Sequence, residues 1–148
     1  RDLWGAGLTR EIAERLVAHP DDDLPALRQL FLTILLAEVD APVDSAGKGE
    51  LLQVRIDKLM ALGALEQAAA LIEAAGATTP ELFRRAFDVA LLTGAEDRAC
   101  DKMDAAPDVA PTLPARIFCL ARSGDWATAA LTLRTAEALG EISADQAT

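Results

Sequence analysis

The chain has 148 residues, 51% hydrophobic but only 4% aromatic, and its 24 acidic and 14 basic side chains give a formal net charge of −10. That length buries a useful core as one domain, built of leucine and alanine rather than rings. A surface of this sign repels phosphate backbones and anionic headgroups, so no nucleic acid is expected as a partner. The longest apolar cluster, residues 30–37, is too short to cross a bilayer, so no direct membrane insertion is expected.

Leucine, alanine, glutamate and arginine favour helix, and no stretch alternates with period two, so the expected class is all-α. Gly5 and Gly7 form a lone Gly-x-Gly with no strand before it, so no phosphate loop is expected there. Thr9 is the expected N-cap of a helix over 10–18, with Leu8, Ile12 and Leu16 on one stripe and Pro20 ending it. His19, the single histidine, sits beside that proline at a helix end and reads as structural, since catalytic and metal roles need convergent partners. Asp21, Asp22 and Asp23 lack the alternating spacing of a calcium loop and read as capping residues. A second helix is expected over 24–39, with Pro25 in its first turn. Its broad apolar face of Leu27, Leu30, Phe31, Ile34 and Leu35 predicts burial on two sides. Residues 40–49, holding Pro42, Asp44, Ser45, Gly47 and Gly49, are the longest loop signal. Six further helices are expected at 50–62, 64–75, 80–93, 95–105, 113–123 and 125–139, making four hairpins in all.

The strongest signal is a recurrence on Gly63, Gly94 and Gly124, spaced 31 and 30 residues apart. Five residues after each comes alanine (Ala68, Ala99, Ala129). Nine after comes an apolar side chain (Ile72, Met103, Leu133), and twelve after comes alanine again (Ala75, Ala106, Ala136). Pro80 and Pro111 fall seventeen residues after the first two glycines. In the helix before each glycine, apolar residues stand eleven, seven and four places back: Leu52, Ile56, Leu59; Phe83, Phe87, Ala90; Leu113, Ile117, Leu120. Glycine supplies the left-handed turn, alanine admits a close neighbour and proline opens the next unit. A hairpin of this kind cannot bury its apolar face alone, so it stacks on the next.

These residues, over about two thirds of the chain, resemble the second half of the tetratricopeptide repeat pattern. The resemblance implies a right-handed α-solenoid of about four antiparallel helix hairpins. Ile56, Phe87 and Ile117 stand where that family usually has a small residue, and the period is shorter than its 34, so a divergent relative is expected. The expected organisation is one structural domain. It comprises a leading, cap-like helix pair at 1–39, the loop at 40–49, and repeats at about 50–79, 80–110 and 111–142. The absence of an initiator methionine and a Ser143/Gln146 capping box predict a fragment, with residues 143–148 starting a further helix.

Groove-lining positions in the tetratricopeptide pattern lie ten and six residues before each glycine, which here gives Gln53 and Asp57, Arg84 and Asp88, and Pro114 and Phe118. As a partner groove these offer Arg84 as a carboxylate clamp and Phe118 as an apolar anchor. As plain structure, Arg84 and Asp88 are a surface i,i+4 pair and Phe118 is core. Cys100 and Cys119 fall on helices that stack directly in such an array. They read either as a disulfide or as two buried free thiols. No catalytic, cofactor or metal site is expected.

Residues 55–76 and 114–126 also resemble an uncharacterised bacterial cell-envelope family of repeat proteins, and a bridged cysteine pair needs an oxidising compartment such as the periplasm. The expected function is a non-enzymatic scaffold or protein-protein interaction module with a protein or peptide partner, in the periplasm or cell envelope. The alternatives are an accessory helical domain of a cell-wall-cleaving enzyme and a cytoplasmic regulatory repeat module.

Overall fold

A computed structural model of the protein describes residues 3–20, 24–42, 44–45, 49–76, 79–105 and 112–142. Those residues are helical, with no strand among them: α1 (Thr9–Ala18), α2 (Pro25–Leu36), α3 (Glu50–Ala61), α4 (Leu65–Ala75), α5 (Pro80–Thr93), α6 (Glu96–Ala105), α7 (Leu113–Arg122) and α8 (Trp126–Ala138). Two compact units divide the chain, Arg1–Gly76 and Ala77–Thr148. The division falls between the first two glycine-centred hairpins rather than at the 40–49 loop.

In the first unit α3 is the hub. It packs against α1, α2 and α4, and Ile56 and Leu59 on it are fully buried. Cations finish three of the helices. The last carbonyls of a helix have no intrahelical donor, and positive charge there also opposes the helix dipole. Lys58 Nζ donates to the carbonyl of His19 at 2.5 Å and approaches that of Val17 at 3.5 Å, closing α1. Arg55, one turn away on the same helix, donates to Leu35 and Ala37 at 2.6 and 2.9 Å, closing α2. Arg28 of α2 donates to Leu62 at 2.6 Å, closing α3.

Two expectations are corrected here. Thr9 is not the N-cap of α1: Leu8 holds that position, and Thr9 is a buried first residue of the helix. Its N–H and hydroxyl donate instead to Asp44, at 2.9 and 2.7 Å to Oδ1, so a loop carboxylate caps the helix from 35 residues away. And α2 is not buried on two sides. Phe31 and Leu35 are inside, while Leu24, Leu27 and Leu30 are 71%, 49% and 58% exposed. It stops at Leu36, where Arg55 takes its end.

In the second unit α5, α6, α7 and α8 pack each on the next. Phe83 and Phe87, Ala99, Cys100 and Met103, and Ala115 and Cys119 form one buried cluster. A disulfide joins Cys100 to Cys119 across α6 and α7, with Cα atoms 5.4 Å apart, and no described cysteine is free. Closing a loop of this size typically stabilises by about 3 kcal/mol. Thr79, Thr112 and Asp125 cap α5, α7 and α8, each accepting from the backbone N–H three residues on at 3.2–3.3 Å.

The three equivalent glycines occupy matching bends. Gly63, Gly94 and Gly124 have φ of +71°, +73° and +89°. The residue after each donates to the carbonyl five positions back (Ala64 to Leu59, Ala95 to Ala90, Asp125 to Leu120) at 2.8–3.0 Å. That bond satisfies an orphan carbonyl and reverses the chain in two residues. Five residues on, Ala68, Ala99 and Ala129 are buried as the spacing predicts. The alanine twelve residues on is buried only at Ala136. Ala75 is exposed, and Ala106 and Pro111 lie outside the described residues, as do Asp21–Asp23 and the 143–148 helix start.

Candidate functional site

The six groove positions fall on two different units. In the first, Gln53 is half-buried and Asp57 exposed on α3. In the second, Arg84 is exposed and Asp88 half-buried on α5, and Pro114 is exposed on α7. Phe118 is not core: it is 39% exposed on α7. Its ring meets the buried Phe87 edge to face, with centroids 6.1 Å apart and planes at 89°. That geometry sets the positive ring edge on the negative ring face and fixes the orientation of the aromatic. Phe87 lies one turn from Arg84 on α5, and Phe118 is on α7 of the same unit. Leu91, 43% exposed, follows Arg84 and Asp88 at helical spacing on α5. No ion pair joins Arg84 to Asp88 among the described residues, so the expected surface pair is not formed.

The ion pairs are elsewhere. Arg122 at the end of α7 bonds Asp97 and lies 3.3 Å from Glu96, at the start of α6. The hydrogen bond and charge of Arg122 hold the Asp97 carboxyl below its usual range. Thr128 acts likewise on Asp125, and the hydroxyl of Thr9, then its N–H, on Asp44. Burial works against the charge of Arg55.

The His19 ring packs against Phe31 with centroids 4.1 Å apart and planes tilted by 47°, and its carbonyl receives Lys58, which fits a structural residue. No group of three histidine, cysteine, aspartate or glutamate side chains among the described residues is arranged to hold a metal ion. Among the described residues no helix is long and apolar enough to cross a membrane.

Sequence reasoning missed one cleft. It has about 460 Å³ in the first unit, lined by Arg10, Ala13, Glu14, Val17, Ala18 and Glu50, with Arg10 and Glu14 paired at 2.8 Å. Its walls come from α1 and the first residue of α3, a pairing that helix periodicity alone does not reveal. The residue five places before each glycine is also buried, Lys58, Val89 and Cys119, and of these only the burial of Cys119 was expected. The recurrence was hidden because a lysine at the first of the three positions does not score as apolar.

No protein-family model, no curated protein and no solved structure matches the chain.

Proposed function

We propose that the chain is a non-enzymatic protein-protein interaction module. It is a divergent tetratricopeptide-like array whose hairpins follow one another in a right-handed solenoid, with α5 and α7 presenting a partner face. The observation that carries this reading is Phe118. A ring kept partly in solvent while locked edge-on against a buried ring is a pre-oriented apolar anchor, and aromatic anchors supply much of the energy of protein interfaces. Arg84 and Asp88 on α5 add polar groups of the same unit, and the partner of matching chemistry is a protein or peptide segment with an apolar side chain and an acidic one.

The disulfide supports placement in an oxidising compartment, the periplasm or cell envelope. Thiol titration of protein from its source, denatured without reductant, should find none free; two free thiols would remove that support.

The test of function is affinity capture of the full-length protein from its own cells, with Phe118→Ala and Arg84→Ala beside the wild type. Recovery of the bound protein should fall about tenfold or more with Phe118→Ala, at unchanged helical content. Equal recovery from both variants would move the search to another surface.

A further inference from the structure

We propose that α6 is a strap locked by the Cys100–Cys119 bridge, and that the redox state of this bridge decides whether residues 96–105 stay docked while the other helices of the second unit hold.

The inward stripe of α6 consists of Glu96, Ala99, Cys100 and Met103. Only Met103 is a full-size apolar side chain. By contrast α5 puts Leu82, Phe83, Phe87 and Val89 inside. The inward acid is a poor anchor as well. Glu96 Oε1 lies 3.3 Å from Arg122, but its Oε2 is buried with no hydrogen-bond partner among the described residues. A buried carboxylate oxygen without a donor favours the undocked state, in which water supplies one. The rest of the helix is charged and exposed: Arg98, Asp101, Lys102 and Asp104 gain little by docking, and Asp97 gains the solvent-exposed Arg122 alone. What remains is one methionine, a surface cation and a covalent bond. The two sulfurs are themselves buried, Cys100 at 8% and Cys119 at 4% exposed, so a reductant reaches them only when α6 opens.

The chemical step is ordinary exchange. A dithiol such as dithiothreitol attacks one sulfur and is oxidised to its cyclic disulfide, while the Cys100–Cys119 bond accepts two electrons and two protons and becomes two thiols. With the bridge gone, α6 undocks and takes Met103 off the Phe83–Phe87 cluster.

Trypsin reads this directly at five of the seven basic residues of the unit: Arg98 and Lys102 on α6, Arg84 on α5, Arg116 on α7 and Arg134 on α8, leaving aside Arg85, which adjoins Arg84, and Arg122, which pairs with α6 itself. Three samples of the intact chain are digested briefly and mapped by mass: oxidised wild type, wild type reduced with dithiothreitol, and Cys100→Ala/Cys119→Ala. In the oxidised protein all five sites should be cut slowly. In the other two, Arg98 and Lys102 should be cut about tenfold or more faster than the remaining three, as expected for local opening. Protection of Arg98 and Lys102 without the bridge would overturn the proposal, because docking would then need no lock. Simultaneous cleavage at all five sites in the reduced wild type would overturn it too, since the bridge would then hold the entire unit.

Discussion

Gly94 carries a φ of +73°, and a Cβ built on it would meet nothing within 4 Å. The cost of a side chain there is therefore backbone conformation alone, about 1–2 kcal/mol for an L-residue in the left-handed region. Gly94→Ala should lower the unfolding free energy by about that amount in urea titration. A variant as stable as wild type would mean that the bend tolerates another conformation. Asp44 is the other residue-scale device. The Thr9 hydroxyl, then its N–H, favour the ionised carboxylate and lower its pKa. Ionised Asp44 therefore stabilises the native chain fully above the ordinary carboxylate range, near pH 4, and that support fades as pH falls through the lowered native value. Asp44→Asn should melt a few degrees lower at neutral pH and show a shallower loss of stability on acidification; identical pH profiles would deny the cap. The glycine was legible because its chemistry is local. The carboxylate was not, because its target lies 35 residues away and nothing in a loop aspartate says which N–H it serves.

At the scale of the element, α3 shows what periodicity can and cannot tell. Leu52, Ile56 and Leu59 marked its apolar stripe in the sequence, and Ile56 and Leu59 are fully buried. Lys58, outside that stripe, is nonetheless 7% exposed, because its ammonium reaches past the stripe to the end of α1. Lys58→Met keeps the volume and removes the donor, leaving carbonyls of α1 without it. The expected loss is about 1–3 kcal/mol, the penalty for a buried group deprived of its partner. An unchanged urea midpoint would show that water replaces the ammonium. The same logic explains the misreading of α2. Its apolar face is as broad as two-sided burial requires, but breadth is a property of one helix and burial depends on neighbours, so Leu27 and Leu30 stay in solvent. The expected helices at 50–62, 80–93 and 113–123 came within a residue of α3, α5 and α7 because Gly63, Gly94 and Gly124 punctuate them.

For the whole molecule, the bridge and the division into units make one joint statement. Cys100 and Cys119 lie 19 residues apart and both belong to Ala77–Thr148, so their loop constrains the unfolded ensemble of that unit and leaves Arg1–Gly76 untouched. The chain supplies its own reporter, since Trp4 is half-buried in the first unit while Trp126 is 69% exposed in the second. In Trp126→Phe, fluorescence follows the first unit and far-UV circular dichroism follows both. Removing the bridge with Cys100→Ala/Cys119→Ala in that background should draw part of the dichroism transition to lower urea by about 3 kcal/mol of lost stability. The Trp4 midpoint should stay where it was. If the Trp4 transition moves down with the rest, the two units unfold as one cooperative body and the staple acts on the entire chain.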